Sequence, residues 1–389
     1  MSEVVKETTK ISNGVKSDWL KKLLFLILVA EVAIFGFIFF QRIKEIDNLA
    51  KEKLYLAEIN PSQIKESNLK DSQQTEIPPI EGPINPKLVG SYLAPGQPEF
   101  VFVLGNYAYL ADGYAGIQIF DVSQPENPEL IGSYDTPGYS EGVFVSGNLA
   151  YVSDKSGGFL ILDVSDPKTP KEISRYEPIS AEGVFVSGNY AFLAYSWWGY
   201  KIFDVSKPTL PQFICEEDLL EETEGVFVSG NYLFLAKGEK GGLQIFDISD
   251  IHHPKLLSTY KTPGYSESVF VQGNYAFLAT EIDLKIFDIS SPSQPLLVSN
   301  IKVSGSAESV FVSGQYAFLA AGKAGLQIVD ISDPKKPKLS ASLQIPGFAE
   351  RIFVSGNYAY LASKDIDALT KTNLAIENAG HLYIIQISE

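Results

Sequence analysis

Short runs of apolar and β-branched residues recur at regular intervals along the chain, separated by Gly, Asn, Asp and Pro. One copy, from Glu182 to Ser206, reads EGVFVSGNYAFLAYSWWGYKIFDVS. Two apolar runs flank the Ser-Gly-Asn triplet, and a third run follows a loop that contains Gly. Short runs of this kind, bounded by turn residues, are typical of β-strands. The pattern therefore predicts an all-β chain built from a repeated unit.

The repeat has a period of 41 to 43 residues, measured between the Gly residues that end each VFVxG-type block. A period near forty in a strand-rich chain is typical of β-propeller blades and is too long for leucine-rich repeats. The seven Gly residues are Gly105, Gly147, Gly188, Gly230, Gly273, Gly314 and Gly356.

Each unit divides into four strand-like runs. Val143–Val145 and Tyr151–Val152 flank a Gly-Asn pair, which predicts a tight hairpin because both residue types accept positive φ. Phe159–Val164 forms the third run, and Glu129–Tyr134 is the fourth run of the unit before. Four strands in each of seven units predict a seven-bladed propeller of four-stranded blades.

The two ends of the repeat region complement each other. Lys87–Tyr92 reads as a fourth strand with no first three before it, and Leu382–Ser388 reads as a third strand with no fourth after it. We therefore expect the N-terminal strand to complete the last blade, which leaves no exposed sheet edge. An eight-bladed ring is the alternative, but it requires a partial unit that the sequence does not contain.

The repeated residues also resemble a known family. Gly325–Pro334, GLQIVDISDP, and Leu160–Pro167, LILDVSDP, are similar to the motif of the LVIVD-repeat family. The resemblance covers about residues 84 to 389 and recurs in six units, whereas the last unit has Gln386 where Asp is expected. It implies a β-propeller, often on bacterial or archaeal cell surfaces. The family has no single assigned activity, so the resemblance assigns no catalytic residue.

Composition narrows the function classes. The chain of 389 residues carries a formal net charge of −16, which disfavours nucleic-acid binding because phosphate backbones are repelled. Cys215 is the only Cys, so no intrachain disulfide can form, and we interpret it as a small buried apolar residue within the run Gln212–Cys215.

The N-terminal region predicts a membrane anchor. Residues 1–18 are polar and predict a disordered tail, and residues 19–40 contain an apolar run whose 18 helical residues would rise about 27 Å. The run ends in Phe39-Phe40-Gln41-Arg42 without a small-residue cleavage site, so we expect an uncleaved single-pass helix. A cut near residues 30–33 is the alternative. Glu31 within the run predicts either a protonated carboxyl or a contact inside the membrane.

Residues 41–59 predict a helical stalk, and residues 60–86 predict a Pro/Ser-rich linker ahead of the propeller at 87–389. Basic residues nearly balance across the apolar run, so the positive-inside rule does not set the orientation. The family resemblance and the short N-terminal tail favour a propeller on the extracytoplasmic side of the cell membrane. Residues 19–59 also offer a route to oligomers.

Strand order places the Gly-Asn hairpins and the Asp-(Val/Ile)-Ser turns on one face of the propeller and the variable loops on the other, where binding is usual. A Glu begins every channel-lining first strand, which predicts a ring of carboxylates at the channel mouth. Such a ring suits a hard cation such as Ca²⁺, the one cofactor we consider, or a basic peptide. The alternative is architectural, with each Glu accepting hydrogen bonds from backbone groups or from a Tyr of the adjoining blade. The seven residues are Glu99, Glu141, Glu182, Glu224, Glu267, Glu308 and Glu350.

Aromatic side chains cluster on the same variable face. Trp197 and Trp198 lie in one loop, and Tyr139, Tyr265 and Phe348 each follow a Pro-Gly pair. Such residues stack on sugar rings or anchor a protein partner, or else they cover a blade edge. An insertion in the last blade, residues 363–380, predicts either a lid with one helical turn or a surface excursion.

Catalytic and metal-binding motifs are sparse. His252-His253 lacks further ligands at zinc spacing, and neither a Ser-His-Asp triad nor a phosphate-binding loop can be assembled. The repeated turn Asp residues are expected to bind the backbone of their own turns. We therefore expect a non-catalytic module that binds a protein or glycan. A hydrolase or lyase acting in the channel and a self-associating envelope protein are the alternatives.

Overall fold

The computed structural model describes residues 80, 83–176, 180–196, 198–217, 222–365 and 380–388. Contacts divide the chain into Met1–Asn68 and Leu69–Glu389, and every described residue belongs to the second unit. The predicted tail, membrane anchor and stalk lie outside the described residues, as does most of the linker. Within the part of the chain that is described, no helix is both long and apolar enough to cross a bilayer.

Seven four-stranded antiparallel sheets form the described chain, as the repeat predicts. The first strands are β2 (Phe100–Leu104), β6 (Gly142–Ser146), β10 (Gly183–Ser187), β14 (Thr223–Ser229), β18 (Ser266–Gln272), β22 (Ser309–Ser313) and β26 (Phe348–Ser355). The second strands are β3 (Tyr107–Ala111), β7 (Leu149–Ser153), β11 (Tyr190–Ala194), β15 (Tyr232–Lys237), β19 (Tyr275–Thr280), β23 (Tyr316–Ala320) and β27 (Tyr358–Lys364).

The third strands are β4 (Ile117–Asp121), β8 (Phe159–Asp163), β12 (Tyr200–Asp204), β16 (Gly242–Asp247), β20 (Asp283–Asp288), β24 (Leu326–Asp330) and β28 (Gly380–Gln386). The fourth, outer strands are β5 (Glu129–Tyr134), β9 (Lys171–Tyr176), β13 (Gln212–Glu217), β17 (Lys255–Tyr260), β21 (Leu296–Lys302), β25 (Lys338–Leu343) and β1 (Lys87–Ala94). Two short turns lie between second and third strands, a 3-10 turn at Lys155–Gly157 and α1 (Gly238–Gly241).

The N-terminal strand closes the ring. β1 pairs with β28, and the order of the last sheet is β1-β28-β27-β26. Leu88 lies opposite Ile385 and Ala94 opposite Gly380. This confirms the predicted closure, although β1 runs two residues beyond Tyr92 and β28 begins two residues before Leu382.

The hairpins between first and second strands depend on one residue of the predicted pair. Gly147 has φ of +57°, and Ser146 pairs with Leu149 across the turn. The equivalent Gly of every other blade has φ between +55° and +60°, whereas no hairpin Asn among the described residues has positive φ. The predicted tight hairpin is therefore confirmed, but only its Gly adopts positive φ. The pattern instead fits a turn with Gly at its first central position.

The core lies between the blades. Second and third strands are apolar on both faces because each sheet packs against two neighbours, so Ile117, Ile119 and Phe120 are all fully buried. The fourth strands lie outermost, and β5 contains only half-buried and exposed residues. An outermost strand is covered on fewer sides than the second and third strands, so its residues remain partly accessible.

The Asp-(Val/Ile)-Ser turns on the hairpin side behave as predicted. In each of the six, the Ser N–H donates to the carboxylate of the Asp two residues earlier, at 2.8–3.0 Å. Hydrogen bonds from Ser lower the pKa of five of these Asp residues, namely Asp121, Asp163, Asp247, Asp288 and Asp330.

A repeated contact joins each outer strand to the next blade. The three-to-four loop, which joins the third and fourth strands of a blade, accepts a hydrogen bond from the preceding blade. Its Pro carbonyl accepts from the side chain of Ser174, Ser258 or Ser299, at 2.6, 2.8 and 2.5 Å. Cys215 holds the same position, with its Sγ 3.4 Å from the carbonyl oxygen of Ile251. Cys215 is therefore a half-buried interblade contact rather than a fully buried apolar residue. Burial raises the pKa of its thiol to about 12.

Candidate functional site: an acidic cavity at the channel mouth

Seven Phe side chains close the central channel below its mouth. Each lies in the middle of a first strand, and neighbouring ring centroids are 4.8–5.1 Å apart at tilted angles all the way round. Tilted pairs at this separation are favourable for aromatic rings. The ring therefore forms an apolar floor. Its members are Phe102, Phe144, Phe185, Phe227, Phe270, Phe311 and Phe353.

Each predicted Glu lies three residues before one of these Phe residues. Strict strand alternation would place residues three apart on opposite faces. In three blades the pairing register shifts at the Glu, between Thr223 and Gly225, for example. In the other blades the strand begins after the Glu, and the Glu99 N–H donates to the carbonyl of Ala111 at 2.8 Å. A bulge or a late strand start thus lets Glu and Phe share the channel.

The mouth of the channel is a cavity of about 1080 Å³. Six of the seven predicted Glu residues line it, and Glu222 adds another carboxylate. Glu308 is not part of the lining, although it is 9% exposed and its backbone carbonyl binds a neighbouring Arg. The structure thus brings the predicted ring together around one cavity. The six lining residues are Glu99, Glu141, Glu182, Glu224, Glu267 and Glu350.

Three cationic side chains line the same cavity. Lys364 Nζ lies 2.7 Å from Glu99 and 3.1 Å from Glu350, so it joins the last blade to the first. Arg351 donates to the backbone carbonyls of Glu308 and Glu350 at 2.9 and 3.2 Å. Lys155 forms an ion pair with Glu141.

These three cations were not predicted from the sequence. Their signal was a departure from the repeat, because Arg351 stands where other blades have Phe, Gly or Ser after the ring Glu. Lys155 and Lys364 occupy equivalent positions in their blades, where Gly113, Gly238 and Gly322 stand in others.

Two Tyr residues bind ring carboxylates of the preceding blade. The Tyr139 hydroxyl contacts the Glu99 carboxylate, and Tyr265 Oη donates to Glu224 Oε1 at 2.5 Å. These contacts match the architectural alternative for the Glu ring. Phe348 has no hydroxyl, and a Cβ on Gly322 of the preceding blade would lie 2.9 Å from its ring. The three predicted aromatics that follow a Pro-Gly pair are therefore half-buried and in contact with the neighbouring blade.

Burial and mutual repulsion shift the carboxyl groups towards neutrality. Burial, reinforced by the charge of Glu99, raises the pKa of Glu141 to about 7. Burial also raises the pKa of Glu224 to about 8 and that of Glu267 to about 7. Because these values lie near neutral pH, the cavity gains negative charge as the pH rises from about 6 to 9.

Charge is distributed unevenly round the cavity. Lys364 and Lys155 offset the carboxylates of the seventh, first and second blades. On the other side, the Glu182 carboxylate makes no hydrogen bond or ion pair with any described residue. We name Glu182, Glu222, Glu224 and Glu267 the acidic arc. Burial alone would lower the pKa of Arg351, but Glu267 and Glu350 outweigh it and raise that pKa.

The remaining predicted residues lie beside the cavity or outside the described chain. Trp198 is 50% exposed in the loop after β11, and its N–H donates to the Tyr195 carbonyl at 2.7 Å. Tyr195 itself lines the cavity. Trp197 and residues 366–379 of the predicted insertion lie outside the described residues.

Calcium binding at the Glu ring stays a prediction. Among the described residues, no group of three or more His, Cys, Asp or Glu side chains is placed to hold a metal ion. His252 and His253 lie on the hairpin side, and His253 Nδ1 is 2.9 Å from Asp250.

Two solved structures illustrate the similarity of the fold. The β-propeller domain of Cps50 (Swd1) from Myceliophteria thermophila has a TM-score of 0.60 at 15% identity, and the match covers 79% of this chain and all of that one. The computationally designed Ika8 protein has a TM-score of 0.55 at 10% identity, covering 74% of this chain and 83% of that one. At such identities the likeness shows the fold alone. No curated protein matches the chain.

The family model described as LVIVD repeat matches the chain seven times. The matched residues are 95–136, 137–177, 180–216, 222–262, 263–303, 304–344 and 346–367. These matches cover more than half of the chain and coincide with the seven blades, which confirms the resemblance seen in the sequence. The chain is a member of the LVIVD repeat family.

Proposed function

We propose that this protein is a membrane-anchored, non-catalytic binding module that displays its propeller at the cell surface and recognises a protein partner through the acidic cavity. The observation that carries the proposal is the cavity itself, in which seven carboxylates face three cationic side chains. A ligand that presents a Lys or Arg side chain would neutralise the acidic arc. Carboxylates in a recessed site attract such groups and accelerate their association.

The aromatic rim supports a protein ligand further. Tyr114 is 71% exposed and Trp198 is 50% exposed, and both lie in two-to-three loops on the cavity side. Exposed aromatic residues at a recessed site are typical anchors of protein interfaces. A glycan that stacks on Trp198 is the competing ligand, because indole rings also bind sugar faces.

A catalytic alternative rests on the seventh blade, where Arg351 and Lys364 break the repeat. Both cations already contact neighbouring groups of the cavity, and Lys364 lies between Glu99 and Glu350. We favour binding because these contacts hold the cavity lining in place. Among the described residues, no nucleophile paired with a base lies beside the two cations.

A cationic probe tests the cavity. Trilysine titrated into the full chain by calorimetry should bind saturably and more tightly at pH 8.5 than at pH 6, because Glu141, Glu224 and Glu267 lose protons across that interval. Glu182→Gln should weaken binding about tenfold, whereas Glu126→Gln, an exposed carboxylate on the hairpin side, should not. Equal affinity in both variants would contradict the proposal.

The membrane anchor is tested separately. Deletion of residues 19–40 should move the protein from the membrane fraction to the supernatant after alkaline carbonate extraction. Intact chain that carbonate releases would overturn the anchor without bearing on the cavity.

A further inference from the structure

Six exposed Leu side chains mark the outer rim of the propeller on its hairpin face, the face that carries the Gly-Asn hairpins and the Asp-Ser turns. Their exposed fractions run from 36% to 63%. Five of them are the first or second residue of a fourth strand, and one lies in the loop that leads to β13. These rim leucines are Leu88, Leu130, Leu210, Leu256, Leu296 and Leu339.

The rim leucines belong to six of the seven blades. Fourth strands run from the hairpin face towards the cavity face, so residues at their beginnings lie near the same edge in every blade. The second blade interrupts the series with Glu172, which pairs with Leu162 as Leu130 pairs with Phe120. Isolated exposed Leu residues are ordinary on a protein surface, but a repeated set at one edge is not.

Basic residues accompany half of the rim leucines. Lys87, Lys255 and Lys338 directly precede Leu88, Leu256 and Leu339, whereas Glu129 precedes Leu130. A Lys beside an exposed Leu suits the interface of a bilayer, where the apolar chain enters the acyl boundary and the ammonium stays with the phosphates. The turn Asp carboxylates of this face accept hydrogen bonds from backbone N–H groups of their own turns.

The chain reaches the propeller on this same face. The Asn85 N–H donates to the Ile387 carbonyl at 2.9 Å, and β1 begins at Lys87 beside Gln386. Ile80 is 7% exposed and packs into the core of the last two blades. The described chain therefore enters β1 on the hairpin face, opposite the cavity.

We propose that the hairpin face docks on the lipid bilayer through the rim leucines, with the acidic cavity pointing away from the membrane. This proposal rests on the anchor proposed above. Anchoring alone would not set the orientation, because the predicted linker over residues 60–79 could span up to roughly 70 Å if extended. The rim leucines supply the preference for one face, and the docked face leaves the cavity open to a partner.

Fluorescence quenching in nanodiscs tests the orientation. The full chain is incorporated into discs of phosphatidylcholine and phosphatidylglycerol that contain a lipid with a nitroxide on its headgroup. A bimane is attached at Leu296→Cys or, as the matched control, at Leu93→Cys, since Leu93 is 60% exposed at the cavity end of β1. Native Cys215 should label slowly because its thiol pKa is about 12. We expect at least threefold stronger quenching at position 296.

Rim substitutions separate docking from mere proximity. Leu256→Gln with Leu339→Gln should reduce quenching at position 296 about threefold, whereas Ile282→Gln, on an exposed loop of the cavity face, should leave it unchanged. Circular dichroism melts verify that each variant folds. Equal quenching at positions 296 and 93, or no effect of the double substitution, would overturn the proposal.

Failure of the anchor gives a different result. The chain would then elute free of the discs, which contradicts the anchor and not the rim. The labelled chain is in that case mixed with vesicles of the same lipids, and an absence of quenching at position 296 there would overturn the rim proposal as well.

Discussion

Glu99 and Glu224 occupy the same position in their blades but have different surroundings. A Tyr hydroxyl of the next blade contacts both carboxylates, but Glu99 also pairs with Lys364, whereas Glu224 is repelled by Glu182. The electrostatic surroundings of a repeated residue therefore depend on neighbours that do not repeat. At the scale of single residues, Lys155, Arg351 and Lys364 make one side of a nearly symmetric ring unlike the other.

Asp112 provides a test of buried charge. Its side chain is fully buried, Oδ2 accepts the Gly96 N–H at 2.9 Å, and Oδ1 has no partner among the described residues. Burial raises its pKa from 3.8 to about 8. The native state thus holds this proton more tightly than the unfolded chain, and the contribution of Asp112 to stability is lost as the pH rises towards 8.

We therefore expect Asp112→Asn to raise the free energy of unfolding at pH 9 by about 1–3 kcal/mol and to change it little at pH 4. Urea denaturation at the two pH values measures the difference. Asp135→Asn, at an exposed site of the next turn, serves as the control and should show no pH-dependent gain. A stabilisation that is the same at both pH values would refute the assignment of a buried neutral acid.

The Tyr265 hydroxyl tests the contact between blades. Tyr265→Phe removes the donor to Glu224 and leaves a half-buried carboxylate without it, so the free energy of unfolding should fall by about 1–3 kcal/mol. Tyr114→Phe changes a ring that is 71% exposed and should have almost no effect. Thermal melts of the two variants at pH 7.5 make the comparison, and equal melting temperatures would contradict a structural role for the hydroxyl.

At the scale of elements, neighbouring blades are joined where an outer strand of one blade contacts the three-to-four loop of the next. Where the position holds Ser, a hydrogen bond reaches a carbonyl of the next blade, and where it holds Gly the backbone itself approaches that carbonyl. At Gly132 an added Cβ would overlap the carbonyl oxygen of Pro167, and Gly90 meets Pro125 in the same way. Small residues are therefore required at this position of the repeat.

Two Gly→Ala substitutions in the same blade pair separate crowding from backbone strain. Gly147→Ala introduces a Cβ at φ of +57° with no atom within 4 Å, so it should cost about 1 kcal/mol of unfolding free energy from conformation alone. Gly132→Ala should cost about 2–4 kcal/mol because the loop of the next blade must move. Urea denaturation measures both, and a smaller loss for Gly132→Ala would show that the blades adjust easily.

The whole molecule depends on closure of the ring by β1. That strand covers the edge of β28, and the ion pair between Lys364 and Glu99 joins the last blade to the first on the cavity side. Closure also sets the two faces, because a strand that closes the ring must enter on the hairpin face. The cavity and the incoming chain are thereby placed on opposite sides.

Truncation tests the closure. A chain that begins at residue 80 should melt cooperatively, whereas one that begins at residue 95 lacks β1 and exposes the edge of β28. We expect the shorter chain to melt at least 10 °C lower or to aggregate, as followed by circular dichroism and light scattering. Similar melting of both chains would show that the other six sheets hold the ring without β1.

The sequence by itself determined the propeller, the number of blades, the closing strand and the turn Asp contacts. The blades and their turns depend on local chemistry that recurs along the chain, so an ambiguous segment in one unit can be interpreted from the others. The closing strand follows from the incomplete units at the two ends of the repeat region. The same repetition predicted the Glu ring, because equivalent positions of equivalent strands must meet at the channel.

Only the tertiary structure decided which side chains surround the Glu ring. Arg351 and Lys364 are ordinary charged residues in the sequence, and their roles arise because residues of different blades meet across a closed ring. The environment of Tyr139 and Tyr265, likewise, depends on the blade before them. The local sequence pattern specifies each blade. The burial, charge and pKa of a side chain in the cavity depend on its neighbours in other blades, and those residues come into contact only when the ring closes.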